Sequence, residues 1–437
     1  MPFRKFYITT LGCKVNQYES QALSEAWSAR GWMETSAPEN ADIIVINSCA
    51  VTASAVADVR ATARRLNREN PHAGIWLTGC SAQTHAAQMK TLPGVSALIP
   101  AGLKDELLNN PEKWLAAETP DYRLPAPAGK RNYPQFKIST YQRARPVLKV
   151  QDGCSHRCTY CIVPLARGSS VSRKPDEILA EAQRLLEKGF REIILSGINL
   201  SQFRSGSGSD FWDLLDMLVS ELAPWESLAR FRISSLEPGQ LGERALDIFA
   251  KSRLICPQLH ISLQSGSESV LKRMGRGHYQ PRGLAAFCEK LYEIWPMFGL
   301  GADILTGFPG ETDAEFEDTV ELVKKLPLTY AHVFPFSPRP GTPAANMPGQ
   351  LGKELSAERA RILRQIVEDK KNIFLDELIK REASLKILLE SRETGLGVSE
   401  HYVECKLETT HEAAQERSLV TARAAGRDGS RLLVTSI

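Results

Sequence analysis

Short β-rich runs alternate with helical patterns along most of this 437-residue chain, and few architectures accommodate that alternation. In the first hundred residues the strand candidates are 6–10, 43–46 and 75–77. Helical patterns follow them over 19–30, from about 53 to 67, and from 82 onward. Repeats at intervals of roughly 30 residues read as βαβ units, because parallel neighbours need a long crossover between them. The alternation resumes at Pro146, with strands expected at 147–150, 192–195, 231–233, 259–263, 300–305 and 330–334. Helices are expected at 175–188, 211–222, 244–251, 283–294 and 313–325, and Pro175 with Asp176 and Glu177 suits a helical first turn. Six such repeats predict a partial α/β barrel, since closure usually takes about eight.

The rest of the chain changes character. A long amphipathic helix is expected from 354 to 380, then short strands at 385–389, 402–407, 419–422 and 432–434, which suits a small β-barrel. The fold class is therefore α/β. An N-terminal parallel α/β domain spans 1–110, and a linker spans 111–140 with Pro120, Pro125, Pro127 and Gly129. The partial barrel spans 141–380 and the small β-barrel 381–437.

The pattern sets Cys13, Cys49 and Cys80 just past the C-terminal ends of three parallel strands, the sheet edge where α/β proteins gather ligands. Three thiols in register point to a metal or cluster site; the alternative is three small residues buried at strand ends. No stretch reaches the roughly 20 apolar residues of a spanning helix, and no signal-peptide core precedes the first strand. A cytoplasmic protein without a membrane partner is expected, in which nine cysteines serve metal binding or catalysis rather than disulfides.

Cys154-Ser155-His156-Arg157-Cys158-Thr159-Tyr160-Cys161 carries the most specific signal. Its three thiolates can each take one iron of a [4Fe–4S] cube and leave the fourth iron open. Zinc is the alternative; it usually wants four protein ligands, no second cysteine pair follows, and His156 inside the loop is poorly placed to complete a shell. Cys256, Cys288 and Cys405 stand alone and read as structural.

The segment resembles the signature of the radical S-adenosylmethionine superfamily, including Tyr160 before the last cysteine. That resemblance implies S-adenosylmethionine chelated at the open iron and split into methionine and a 5′-deoxyadenosyl radical. It also implies cofactor contacts near the strand ends, at Ser196, Gly197 and Asn199, at Ser234 and Ser235, and at Gln264. Ser262 stands where the fourth-strand motif commonly carries proline. Thr10-Leu11-Gly12-Cys13-Lys14-Val15-Asn16-Gln17, Asn47-Ser48-Cys49 and Thr78-Gly79-Cys80 resemble the N-terminal domain of methylthiotransferases. In that family three such cysteines hold a second [4Fe–4S] cluster, and a small C-terminal TRAM barrel binds RNA. The residues after Cys13, with His332-Val333-Phe334-Pro335-Phe336-Ser337 and Arg339-Pro340-Gly341-Thr342, are similar to the branch acting on N6-threonylcarbamoyladenosine beside the tRNA anticodon.

The resemblance implies a methylthio group placed on C2 of that adenosine, with tRNA as partner and a flavodoxin- or ferredoxin-like electron donor of unknown identity. No side chain is expected to act as catalyst beyond cluster and cofactor. The alternatives are the same chemistry on isopentenyladenosine or on a ribosomal protein, and a non-catalytic, metal-stabilised RNA-binding protein. A net charge of +3 says little, but two basic runs do more. Lys130, Arg131, Lys137, Arg143, Arg145 and Lys149 surround Tyr133 and Tyr141, and Arg64 and Arg65 sit on the second helix. They suit an RNA backbone, although a solvated linker and helix face is the plainer reading.

Overall fold

The computed structural model describes residues 4–115, 132–206, 208–408 and 415–437. The strands in chain order begin with β1 (Lys5–Thr10), β2 (Met33–Glu34), β3 (Ile43–Ser48), β4 (Gly74–Gly79) and β5 (Val95–Pro100). Next come β6 (Val147–Lys149), β7 (Gln151–Asp152), β8 (Val171–Ser172), β9 (Glu192–Ser196), β10 (Arg230–Ile233) and β11 (Ser235–Leu236). Then follow β12 (Gln258–Gln264), β13 (Gly299–Thr306), β14 (Tyr330–Pro335), β15 (Ser384–Ser391), β16 (Leu396–Ser399), β17 (Glu404–Leu407), β18 (Leu419–Asp428) and β19 (Arg431–Ser436). The chain packs as two compact units that interleave in sequence. One takes Met1–Thr140, Lys149–Arg173 and Ser337–Ala345; the other takes Tyr141–Leu148, Lys174–Phe336 and Asn346–Ile437.

In the first unit β2-β1-β3-β4-β5 form a parallel sheet. All six residues of β3 are buried, as befits a near-continuous apolar run in the middle of a sheet covered on both faces. The first helix, Lys14–Ser28, starts five residues earlier than the sequence pattern suggests. Its first turn is polar, and the buried Asn16 and Glu19 turned out to lie on its inner face beside Val15, Tyr18, Ala22 and Leu23. Trp27, Trp32 and Trp76 pack around Phe6 with ring centroids 5.1–6.4 Å apart, and the buried Trp27 Nε1 donates to the Leu107 carbonyl at 3.1 Å. Strands β2 and β5 are additions to the sequence reading: β2 has two residues, and β5 has a weaker apolar pattern ending in Pro100. The three prolines and Gly129 of the expected linker lie outside the described residues.

The second unit holds six strand positions, as six repeats predict. One sheet runs β10-β9-β6 and the other β11-β12-β13-β14, with parallel pairing throughout β9–β10 and β11–β14. Strands β10 and β11 are one strand position broken at Ser234, whose N–H donates to the Leu195 carbonyl at 2.9 Å. The intervening helices fall where the periodicity places them, for example Asp313–Lys325, whose Thr312 and Glu315 form a reciprocal capping box.

The same unit carries the long helix Lys353–Lys380 and a closed barrel, β15-β16-β17-β19-β18, with Leu385, Ile387, Leu389, Cys405, Ala422 and Val434 in its core. The small barrel is fastened to the N-terminal ends of β9 and β10 by buried charge. Glu192 accepts from Arg230 Nε at 2.6 Å and from Arg232 Nε at 2.7 Å. The guanidinium groups donate onward to the carbonyls of Lys386, Val398, Ser399 and Glu400. Burial opposes ionisation of Glu192, but Arg232 and Arg230 hold its carboxyl well below the usual range.

Candidate functional site

In the first unit β1, β3 and β4 are neighbours, and their registers pair Thr10 with Asn47 and Ser48 with Gly79. Cys13 ends up at the N-cap of the first helix, Cys49 directly after β3, and Cys80 at the first position after β4. The structure thus gathers the three thiols at one sheet edge. Two glycines make the approach possible. Gly12 has φ +116°, and a Cβ on it would fall 2.6 Å from Cys49 Cβ. Gly79 has φ +94°, and a Cβ there would fall 2.4 Å from the Ser48 carbonyl oxygen.

Polar side chains fix these loops. Asn16 Nδ2 donates to the Leu11 and Ser48 carbonyls at 3.0 and 3.1 Å, and Asn47 Nδ2 donates to the Asn16 carbonyl at 2.9 Å. The Ser81 hydroxyl donates to the Cys49 carbonyl, and Ser81 N–H donates to Ser48 Oγ at 3.2 Å. Every one of these bonds sits within a residue or three of a thiol.

Burial pushes the Cys49 thiol up to about 11 and also raises that of Cys80, and the neighbouring cysteines add mutual repulsion. Arg167 opposes the rise at both, and Lys104 does so at Cys80. Arg339, itself buried, also lies in range of Cys49 and donates to the Ala50 carbonyl at 3.5 Å. Partly desolvated thiols ringed by cations are a donor set for a species that carries its own positive core and takes thiolates.

The Cys154–Cys161 loop belongs to the same unit. It is closed at its base by the antiparallel β7–β8 pair and by Cys154 N–H donating to the Gly168 carbonyl at 3.0 Å. A tight turn, Cys161 N–H to the Cys158 carbonyl at 3.0 Å, draws the last two cysteines together around Thr159 and Tyr160. The short helix Val163–Arg167 follows, and Arg167 is where the two cysteine sets meet. Its guanidinium donates to Glu19 Oε1 at 2.9 Å, to Asp152 Oδ1 at 2.9 Å and to Asn16 Oδ1 at 2.5 Å. Lys149 Nζ donates to Glu19 Oε1 at 2.7 Å and lies 3.1 Å from Asp152; Lys104 reaches Glu19 and donates to Asn47 Oδ1 at 3.0 Å.

All these ionised groups are buried. Burial would raise the Glu19 carboxyl, but Arg167, Lys104 and Lys149 hold it well below the usual carboxylate range. Three cations face two carboxylates, so the network retains one net positive charge beside the Cys13/Cys49/Cys80 edge.

In the second unit the expected cofactor residues line the C-terminal strand ends. Ser196 closes β9 and is buried; Gly197 follows it. Asn199 caps the next turn, accepting from Ser201 N–H at 3.0 Å, and its Nδ2 lies 3.4 Å from Glu237. The buried Ser234 hydroxyl finds no hydrogen-bond partner among the described residues, an orphan that a bound ligand would satisfy. Ser235 Oγ instead bonds Ser262 Oγ at 2.8 Å, a contact that proline at 262 would remove. Gln264, at the end of β12, holds φ +61°, a left-handed conformation that few non-glycine residues adopt.

Two family models match the chain: the uncharacterised protein family UPF0004 over residues 5–100 and the radical SAM superfamily over residues 148–323. A threonylcarbamoyladenosine tRNA methylthiotransferase MtaB of Thermotoga maritima is 37% identical over 391 residues, covering 88% of this chain and 86% of the relative. The MtaB of Bacillus subtilis is 37% identical over 81% of this chain and 78% of its own length. The chain belongs to the MtaB family. Among solved structures, the radical S-adenosylmethionine methyltransferase TsrM of Kitasatospora setae matches with TM-score 0.60 at 17% identity, over 78% of this chain and 77% of that one, a likeness of fold.

For a member of this family, the structure also sorts the basic residues. Tyr133 and Tyr141 are buried, so neither offers a face to a base. Tyr133 donates to the Lys149 carbonyl at 2.8 Å, and Lys149 is spent in the buried network. Arg145 donates to Glu390 at 2.9 Å and covers the Tyr402 ring, and Arg65 is clamped by Glu69. Arg64, Lys137 and Arg143 remain exposed, while Lys130 and Arg131 lie outside the described residues. Cys256, Cys288 and Cys405 are buried with thiols raised to about 11, 12 and 12 by desolvation, as structural cysteines should be. The Glu19–Arg167 network was missed by sequence reasoning; its one signal is the pair of polar residues, Asn16 and Glu19, inside an otherwise apolar helix face.

Proposed function

We propose that this chain is a tRNA methylthiotransferase that places a methylthio group on C2 of N6-threonylcarbamoyladenosine. The observation that carries the reading is the packing of both cysteine sets into one compact unit, joined through Arg167, Glu19 and Asn16. Cys154, Cys158 and Cys161 would hold a [4Fe–4S] cluster with an open iron for S-adenosylmethionine, and Cys13, Cys49 and Cys80 a second cluster. When bound, the first supplies the electron that splits S-adenosylmethionine and the second presents the sulfur.

The chain's own residues do the rest. Asn16, Asn47 and Ser81 hold the thiol-bearing loops in place, and Arg167, Lys104 and Arg339 compensate thiolate charge in a buried setting. Ser196, Gly197, Asn199, Ser234 and Gln264 would offer polar groups to S-adenosylmethionine at the strand ends, with Tyr160 inside the cluster loop and Ser235 engaged by Ser262. The exposed Arg64, Lys137 and Arg143 and the closed C-terminal barrel would meet tRNA, and a flavodoxin- or ferredoxin-like protein would deliver electrons. No described helix is long and apolar enough to cross a membrane.

Mass spectrometry of tRNA nucleosides from a strain lacking the gene tests the reading. Methylthio-threonylcarbamoyladenosine should vanish while methylthio-isopentenyladenosine persists, and plasmid-borne wild type, but not Cys154→Ala or Cys49→Ala, should restore it. Undiminished methylthio-threonylcarbamoyladenosine in the deletion strain would overturn the assignment.

A further inference from the structure

The second unit contains a chain of hydrogen bonds that none of the cofactor residues explains. On β12, β13 and β14 the residues Ile261, Ile304 and Val333 are buried, and the alternating set His260, Asp303 and His332 occupies the other face. Gln258 Nε2 donates to the Tyr330 hydroxyl oxygen at 2.9 Å, and that hydroxyl lies 3.0 Å from His260 Nδ1. His260 Nε2 and His332 Nδ1 lie 3.0 and 3.1 Å from the same oxygen, Asp303 Oδ1. Burial would raise the Asp303 carboxyl, but its bonds to His260 and His332 hold it well below the usual range. An ionised Asp303 accepts from both rings, and the Tyr330 hydroxyl and His260 Nδ1 share a hydrogen bond, so these groups have partners without an ion. The same three side chains each bring a donor atom within 4.8 Å of the others, and these hydrogen bonds account for that closeness.

The chain has one open end. His332 is fixed through Nδ1 by Asp303, and its Nε2 has no hydrogen-bond partner among the described residues, although its side chain is 59% exposed. A carboxylate that orients an imidazole so that the far nitrogen faces outward is a device for contacting a ligand. Beside it stands Phe334, two residues along β14 and 44% exposed, with its ring 6.2 Å from that of His332. His260 lies on the same strand face as Ser262, which bonds Ser235 at the neighbouring strand end. An exposed aromatic ring next to an outward-facing nitrogen suits a purine taken out of its stack: the ring offers stacking and the nitrogen reads a polar substituent.

We propose that His332 is a specificity-determining residue that bonds the N6-threonylcarbamoyl substituent of the target nucleoside, with Phe334 stacking on the purine. A hydroxyl or amide N–H of the substituent donates to Nε2. The inference rests on the threonylcarbamoyladenosine reading above.

The test compares binding of two anticodon stem-loop RNAs to the iron-loaded enzyme, one with threonylcarbamoyladenosine and one with plain adenosine at that position. Wild type should prefer the modified RNA, and His332→Ala should lose about tenfold of that preference while binding plain RNA as before. His332→Gln, which keeps a hydrogen-bonding head group, should retain part of it, and Asp303→Asn should lose part by freeing the imidazole. Iron content and circular dichroism equal to wild type certify the fold, and a merely structural role would weaken both RNAs alike. His332→Ala that keeps the full preference overturns the inference and leaves the function standing. Wild type that fails to methylthiolate the modified RNA overturns both.

Discussion

Glu19→Gln removes the carboxylate on which the buried network of the first unit converges. Glu19 touches Lys104, Lys149 and Arg167, and the side chains of all four, with Asp152, are at most 2% exposed. The substitution takes the network from three cations against two carboxylates to three against one, from a net charge of +1 to +2, with no solvent at hand. Breaking a buried ion pair by removing one partner costs about 3–5 kcal/mol, out of a total stability of about 5–15 kcal/mol. In a unit of this size each kcal/mol moves the midpoint by about 2–4 °C, so unfolding should come roughly 6–20 °C earlier. Tryptophan fluorescence includes a signal from this unit, where Trp27, Trp32 and Trp76 pack, beside that of Trp212, Trp225 and Trp295 in the second unit.

The pH dependence has a defined sign. The folded-state pKa of Glu19 is depressed, so its contribution is complete above the ordinary value of 4.5 and fades as pH falls toward the lower folded value. The gap between wild type and variant should therefore be constant from neutral pH to about 5 and narrow below it. Adding Lys104→Met restores the net charge to +1 and should recover part of the loss. A Glu19→Gln protein melting within about 1 °C of wild type would refute the reasoning, as would a gap that widens in acid.

Other outcomes follow from the same geometry. Alanine at Cys154, Cys158 and Cys161, or at Cys13, Cys49 and Cys80, should lower iron from roughly eight to roughly four per chain after reconstitution; only the first set should abolish 5′-deoxyadenosine formation. Ser234→Ala should weaken S-adenosylmethionine binding by about fivefold, measured by calorimetry, because its hydroxyl has no other partner among the described residues; Ser235→Ala, whose hydroxyl is engaged by Ser262, should change it less. Glu192→Gln leaves the buried Arg230 and Arg232 with neutral carbonyl acceptors and only the more distant Glu400 carboxylate, 3.9 Å from Arg230, and should cost about 3–5 kcal/mol in chemical denaturation.

Much of the fold was legible because its strands and helices obey simple periods. Residues 43–46 read as a buried strand because every position is apolar, and residues 313–325 as a helix because Phe316, Val320 and Val323 recur at helical spacing. Strand β5 was not legible: its two leading residues are half-exposed or exposed, and it ends in proline. The six proposed ligand cysteines were legible because spacing and strand-end position are local properties of the chain. The residues that support them were not. Lys104, Lys149 and Arg167 look like ordinary surface cations in the sequence, and only tertiary packing turns them onto Glu19. The same holds for His260, Asp303 and His332, which stand far apart in sequence and meet because three parallel strands run in register.

This difference bears on how the two thiol sets are kept together. Each set is local, so each loop could shift without breaking its own pattern. Arg167, which follows the second set by six residues, bonds Asn16 and Glu19, three and six residues after Cys13, and Lys149 links the same Glu19 to Asp152, two residues before Cys154. A lysine at position 167 would keep the charge but lose the fork that reaches Glu19, Asp152 and Asn16 at once. The retained positive charge also sits where thiolates from Cys13 and Cys80 are felt, since both stabilise the Arg167 cation. Position and charge compensation are therefore carried by the same side chain, and neither the C-x3-C-x2-C spacing nor the strand-end cysteines can supply them alone.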